Sequence, residues 1–496
     1  MSDSLIGSNE SARSTRRVSA ASIAVSFDRL KRRALSLGAV KALDHAMHAL
    51  VPVVLVRCLD TTSFGEYRLL WLVVGTLLIA TLNMGGTLYY FVPRSPPLRA
   101  RLHVHHAMLY LALAGAICGF AISPLNPLLP ATVAPLEKFG LLVPAFVALW
   151  LLATLLDNLP AVDERIRWQV TATSTISMLR TLLVCAAAWL SGDLRVVMWA
   201  LLFVILLKVL LLLVYVARRH GLGAPWFERA AFSQQFRHSA PIGLTNALFS
   251  LRSQSDQWIV ASLFAISSFA AFSIAAIIGQ VMHLFRVSVL AALLPSMSRL
   301  QAAGDVRGMM EMASRGNLLV GRLLYPLLGF TFVFAHELVT VVYTASYSEA
   351  VPVIRVYILG MLPMVIEMGS LILLLRQGPY AMALTAVALC LSIAASWTGA
   401  QYFGLPGAAA GSVLAVFLDR AMMLRRVSQL TGIALRRLQD WRSLGNALAL
   451  AAVSAALAWL LVERLLPDRH PFARLALGAA VLGLAYAVPV WRRWAR

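Results

Sequence analysis

The sequence predicts an all-α, polytopic membrane protein of about fourteen transmembrane helices: two six-helix lobes related by an internal repeat, followed by two further helices. Three observations carry this. Of 496 residues, 60% are hydrophobic and 13% charged, with a mean hydropathy of +0.77, more apolar surface than a soluble chain of this length could hide. Apolar stretches of about 20 residues, the helix length that crosses a ~30 Å hydrocarbon core, recur from residue 35 onward. A motif around Phe64 also returns around Phe269.

In chain order the spans cover 35–58, 64–90, 104–123, 138–158, 168–190, 195–217, 240–263, 267–294, 317–335, 350–376, 379–402, 406–426, 443–462 and 473–491. They must be helices, because lipid offers backbone groups no partner and the stretches are too long and too uniformly apolar for barrel strands. Residues 1–34 are rich in Ser and Arg, and their best apolar run, Val18 to Phe27, is broken by Ser and small residues. They read as a disordered or surface-lying cytoplasmic tail, not a signal peptide.

The net charge of +21 would fit a nucleic-acid partner only if it gathered on one polar surface. Instead Lys and Arg collect on the N-terminal segment, the even-numbered connections and the C-terminus. Examples are Arg29, Lys31, Arg32, Arg33, Arg218, Arg219, Arg425, Arg426, Arg436, Arg437, Arg442, Arg492, Arg493 and Arg496. That positive-inside pattern excludes nucleic acid as the reason for the charge and places both termini in the cytoplasm, in keeping with an even number of spans. Cys58, Cys118, Cys185 and Cys390 are scattered without paired or metal-like spacing and read as small apolar fillers.

The repeat fixes the expected domains. Phe64-Gly65-Glu66-Tyr67 and Phe269-Ala270-Ala271-Phe272 each follow a hydrophobic span and begin another, and their offset of 205 residues lays span 1 on span 7 and span 2 on span 8. The division is then 35–217 for one lobe, 218–239 for a cytoplasmic connector, 240–428 for the second lobe, 429–442 for a cytoplasmic linker and 443–496 for two appended helices and a cytoplasmic end. In the connector, Pro225-Trp226-Phe227-Glu228-Arg229 with Phe232 and Phe236 suits either a helix lying in the headgroup region or a linker rich in aromatics. Halves with even span numbers share one orientation and are related by an axis along the membrane normal, which leaves a cleft between lobes that rock.

An ionisable side chain deep in a span costs roughly 2.5–3.5 kcal/mol, so it faces the bundle interior or water. Span 1 carries Lys41, Asp44, His45 and His48 at helical spacing; span 7 has Arg252 and Asp256 one turn apart; span 8 has Gln280, His283 and Arg286; span 5 has Arg180 with Ser174 and Ser177. Lys208, Glu367, Asp419 and Arg420 are further polar groups within spans, whereas Arg322, Arg355 and Asp157 lie near span ends and read as snorkelling. Basic residues outnumber acids inside the spans, which favours an anionic cargo, and phosphate matches guanidinium groups best. Lys41, Arg180, Arg252 and Arg286, with His48 and His283, are the expected substrate-binding residues; Asp44, Asp256, Glu367 and Asp419 could carry a coupling ion. Each has a structural alternative. Arg252 with Asp256, and Lys41 with Asp44, could neutralise each other, and the histidines could be hydrogen-bonded interior groups. Arg180 and Arg286 have no acid within a turn. No catalytic constellation, metal spacing, cofactor motif or Walker-type loop is present, so neither an enzyme nor an ATP-driven pump is expected.

Several segments carry a family resemblance. Arg57-Cys58-Leu59-Asp60 before Ser63-Phe64-Gly65-Glu66-Tyr67 resembles the "R-x-L-G-x-x-x-F-G-x-Y" end of helix 1 in polysaccharide-export flippases of the Wzx type, which belong to the superfamily that also holds MurJ lipid II flippases and MATE antiporters. Asn83-Met84-Gly85-Gly86 and Tyr90-Phe91-Val92-Pro93-Arg94 resemble helix 2 and its exit. Asp256-Gln257-Trp258 resembles helix 7, and Leu293-Leu294-Pro295-Ser296-Met297-Ser298-Arg299 with Gly304-Asp305 resembles the end of helix 8. Tyr343 to Leu359 resembles the segment before helix 10, and Gly404-Leu405-Pro406-Gly407-Ala408-Ala409 the start of helix 12. The chain departs from the pattern at Asp60, where Gly is usual, at Leu293, where Phe is usual, and at Tyr343-Thr344, in place of Phe-Gly.

The resemblance, running from about residue 35 to 430, implies a bacterial inner-membrane flippase that moves an undecaprenyl-diphosphate-linked oligosaccharide for exopolysaccharide or O-antigen synthesis, without a cofactor. It further implies a cationic cavity lined chiefly by helices 1, 2, 7 and 8. Membrane lipids, a polysaccharide polymerase and chain-length proteins are the implied partners. Two rival readings stand beside it: a MATE-like cation-coupled multidrug exporter, against which the excess of buried bases argues, and a scaffold of a polysaccharide synthase. A polymerase or ligase would need a long outer loop, and the outer connections are all short.

Overall fold

The computed structural model describes Met47 and residues 50–223, 225–467 and 470–494, with side chains left out over 278–292 and 488–494. Regular structure among the described residues is helical, with no strand. The first lobe contains α1 (50–58), α2 (Thr61–Leu77), α3 (Met84–Phe91), α4 (Pro97–Ala121), α5 (Leu142–Ala153), α6 (Leu159–Val162), α7 (Ile166–Ser191) and α8 (Leu194–Arg219). The second contains α9 (Arg229–Leu263), α10 (Ile266–Ala302), α11 (Val306–Val333), α12 (Ala335–Val342), α13 (Ala350–Met364), α14 (Gly369–Leu374) and α15 (Gly378–Thr431). Short α16 (Leu435–Leu438) leads to α17 (Trp441–Leu465) and α18 (Pro471–Trp494).

Nine described helical segments are long and apolar enough to cross a membrane. One of them, α15, is two spans that meet at Gly404, whose φ of +65° a residue with a side chain would resist. Gly399, Gly407 and Gly411 let those two spans touch backbone to backbone. α10, α18 and α9, whose Gln, Ser, Arg and Asp residues lower its hydropathy, are further described helices of crossing length, a set compatible with the expected fourteen.

The repeat survives as geometry. α2 starts after Asp60 and α10 after Ala265, the same offset as Phe64 and Phe269, and both phenylalanines are fully buried. Asp60 earns its place where Gly is usual by capping α2: its Oδ2 accepts from the Thr62 and Ser63 amides (3.1 and 3.3 Å). A hydrogen bond from the Ser63 hydroxyl holds its carboxyl below the usual carboxylate range, over the opposing effect of partial burial.

Three elements differ from the sequence expectation. The helix of span 7 begins at Arg229, inside the stretch read as connector, because its early polar residues find partners on the first lobe; residues 225–228 are non-helical, while Phe232 and Phe236 lie on α9. The helix of span 9 begins at Val306 rather than 317, which sets Arg322 beside the first turn of α17, since neighbouring Gly321 abuts Leu444. Span 2 breaks at Leu82 and Asn83, both left-handed (φ +42° and +59°), so α3 continues in a new direction and the Leu82 carbonyl is freed for another helix.

Candidate functional site

The lobes meet along α2 and α3 on one side and α9 and α10 on the other. At the face bearing the α1–α2 and α9–α10 turns, here the turn face, the Arg57 guanidinium donates to the Val341 and Val342 carbonyls (2.6 and 2.7 Å) at the end of α12. Phe64 meets Tyr347 edge to face at 5.6 Å. Arg68 donates from Nε to Ser273 Oγ (3.1 Å) and from Nη2 to the Ser273 carbonyl (3.5 Å). Deeper, Trp258 Nε1 donates to Thr76 Oγ1 (2.7 Å), whose own proton is shared between the Leu72 carbonyl (2.9 Å) and Gln254 Oε1 (3.1 Å).

Toward the opposite, connector face, Ser239 donates to the freed Leu82 carbonyl and Gly243 lets the Leu82 backbone approach α9 directly. Gln235 donates to Thr87 Oγ1 (3.0 Å), and its Oε1 lies 3.0 Å from His103 Nδ1. His105 places its two ring nitrogens against the Gly221 and Pro225 carbonyls (3.0 and 3.2 Å) and stacks on Trp226 at 4.2 Å, which ties the connector to α4. The described residues of the two lobes thus touch at the turn face, at mid-depth and at the connector face.

Inside the second lobe, α9 presents a polar edge to α13 and α15. Asp256, 4% exposed, accepts from the Tyr357 hydroxyl (2.7 Å) and the Gln257 amide (2.8 Å), and Ser412 lies within hydrogen-bonding reach. Ser255 and Ser392 hydroxyls are 2.9 Å apart. One turn away, Arg252 lies within electrostatic reach of Asp419 and Arg420, and Asp419 Oδ2 is 3.8 Å from Arg420 Nε. The i, i+4 spacing of Arg252 and Asp256 thus does not make them partners: each turns to α15, at different levels. Among the described residues, the buried Nε atoms of Arg252 and Arg420 have no hydrogen-bond partner.

The other expected residues fall elsewhere. Arg180 is buried on α7 close to Tyr67 of α2, inside the first lobe. Glu367 Oε1 accepts from the Gly369 amide (2.7 Å) and so caps α14 locally. Lys41, Asp44 and His48 lie outside the described residues, as do the side chains of His283 and Arg286. Asp157, read as snorkelling, is paired with Lys208 at 2.8 Å, while Arg355 reaches the Phe332 carbonyl (3.1 Å) and ring. Sequence reasoning missed Arg68, Arg57 as a partner of the second lobe, and the α4 histidines. For Arg68 a signal existed: its contact Ser273 is its own counterpart in the repeat.

A family model described as Lipid II flippase MurJ matches residues 170–473. No curated protein matches the sequence. Among solved structures, the chain is similar to a lipid II flippase MurJ in an inward closed conformation (TM-score 0.68, 11% identity, 92% of this chain and 99% of that one covered). It is also similar to an inward-facing MATE family multidrug resistance transporter of the MOP superfamily (0.57, 14%, 79% and 96%) and to a MATE in the straight conformation (0.53, 14%, 80% and 96%). These likenesses show a shared fold, and with the family model matching over most of its length, the chain belongs to the MurJ lipid II flippase family.

Proposed function

We propose that the protein flips a polyprenyl-diphosphate-linked oligosaccharide repeat unit across the bacterial inner membrane for surface polysaccharide synthesis, by alternating access, with the lipid tail in the bilayer and the head group between the lobes. The observation that carries this reading is the Arg252–Asp419–Arg420 cluster: two guanidinium groups against one carboxylate, a net positive charge inside the spans. Guanidinium groups hold their charge under desolvation and match phosphate oxygens in pairs, so a diphosphate suits the cluster better than a cationic drug would. Lys41, Arg180 and Arg286, with His48 and His283, complete the expected head-group contacts. Asp256 and Asp419 are the candidate coupling acids, with Asp44 in span 1; Glu367 is occupied in capping α14. The positive-inside charge pattern supports cytoplasmic termini and a periplasmic turn face.

Lipid II is the second reading, since it names the family model and carries the same polyprenyl diphosphate. The two separate in cells. The chain should restore surface polysaccharide to a strain lacking its repeat-unit flippase and should fail to rescue a strain depleted of lipid II flippase. Rescue of the second strain alone would overturn the repeat-unit reading.

A further inference from the structure

We infer that Arg68 and Arg57 form an asymmetric latch that holds the turn face shut and must be released for the cleft to open there. Arg68 and Ser273 are 205 residues apart, the same offset that relates Phe64 to Phe269, so they are counterparts in the two halves, and they touch each other. Two counterparts can meet only on the axis that relates the halves. Arg68 and Ser273 therefore mark where that axis crosses the closed seam between α2 and α10.

An axis position is chemically awkward. Two arginines there would repel, and two serines would be too short to bridge the lobes. The repeat resolves this by divergence: the first copy supplies a long cation, the second a short hydroxyl and its carbonyl, and a donor meets two acceptors. The same divergence recurs at the next latch residue. Arg57 stands where the second copy has Ser262, and while Ser262 bonds only within its own helix, Arg57 reaches across to the Val341 and Val342 carbonyls. Those carbonyls end α12 and lack helical partners, and a helix C-terminus attracts a cation.

The contacts are unlike in what breaking them costs. Arg57 is exposed, so water replaces its carbonyl partners when the lobes part. Arg68 is half-buried, one turn along α2 from the fully buried Phe64, which packs on Tyr347, and Ser273 is wholly buried. Arg68 thus holds the closed state, and Arg57 adds a contact that exchanges readily with solvent. Gly65 on α2 admits the Ile266 backbone into direct contact.

The test needs neither the cargo nor its direction, so it can fail without the proposed function failing. Spin labels at Glu137→Cys and Tyr402→Cys, exposed turn-face positions on opposite lobes, are placed in a background whose four native cysteines are replaced by Ser, and distances are measured in lipid nanodiscs. The unaltered latch should give one dominant short distance. Arg68→Ala should shift the population toward a longer distance by about tenfold, the effect of losing a charge-assisted hydrogen bond. Ser273→Ala, which leaves the packing and the carbonyl in place, should shift it by about threefold, and Arg57→Ala by less than Arg68→Ala. An unchanged distribution in both Arg68→Ala and Ser273→Ala overturns the latch, and so does a larger opening from Arg57→Ala than from Arg68→Ala.

Discussion

Gly243 lies where the second lobe presses most closely on the first. A methyl group there would fall 2.5 Å from the Cα, carbonyl carbon and carbonyl oxygen of Leu82, all backbone atoms that no rotamer change can move aside. Ordinary carbon contacts lie at about 3.5–4.0 Å, so Gly243→Ala requires α9 and the Leu82 turn to separate by about 1 Å. The hydrogen bond from Ser239 to the Leu82 carbonyl, one turn earlier on α9, would be stretched by the same movement. Overpacking of this kind costs about 1–3 kcal/mol, which is about a 5- to 150-fold shift against the closed seam. Thermal unfolding of the purified protein in detergent should show a lowered midpoint, and limited proteolysis at the connector should quicken as α9 loosens. Gly445, on α17, has nothing within 4 Å of a would-be methyl group, so Gly445→Ala is the control and should be neutral or slightly stabilising. Equal midpoints for Gly243→Ala and Gly445→Ala would show that this backbone contact does not hold the seam.

Thr344 adopts φ +88° and ψ +157°, a conformation open essentially to Gly alone; Thr344→Gly should therefore stabilise the protein by about 1 kcal/mol, the strain of about 1–3 kcal/mol less the entropy cost of a glycine, read as a raised unfolding midpoint. Burial raises the Asp163 carboxyl, but hydrogen bonds from His220 (3.0 Å) and Tyr215 (2.7 Å) and the charges of His220 and Arg219 outweigh it and leave it below the usual carboxylate range. Its contribution is present above about pH 4 and is lost as pH falls through the lowered value, so stability should decline more steeply under acid in the parent than in Asp163→Asn, measured by unfolding across pH 3–7. Asp256→Asn keeps an acceptor for Tyr357 and should fold with a midpoint near the parent while transport falls; Asp256→Ala should also lose stability, by about 1–3 kcal/mol, because the Tyr357 hydroxyl is left without its acceptor.

The helical, membrane-spanning character of the chain was legible because apolar length depends on composition alone, and the repeat was legible because Phe64 and Phe269 occupy the same buried place in each half. What spacing could not show was which helix faces which. Arg252 and Asp256 look like a pair along one helix, yet their partners, Tyr357, Ser412 and Asp419, arrive from α13 and α15. Arg68 sits too near a turn to stand out as a buried charge, and only the fold puts it on the axis opposite Ser273. The start of α9 was hidden because Gln235 and Ser239 read as connector residues; in the fold they are interface residues bonded to His103, Thr87 and Leu82. Asp60 and Thr344 departed from the family pattern as bare letters, and backbone geometry separates them: one gains a helix cap, the other carries strain.

The most direct test of transport is flipping in vesicles that contain the purified protein and a fluorescent polyprenyl-linked oligosaccharide, with the label on the inner leaflet followed as it becomes accessible outside. The diphosphate-linked lipid should cross, its monophosphate-linked counterpart should cross much more slowly, and Arg252→Ala or Arg420→Ala should remove most of that preference by taking away a guanidinium that reads the second phosphate. Equal transfer of both lipids by the parent, or full diphosphate preference in both variants, would contradict a cationic site for the head group.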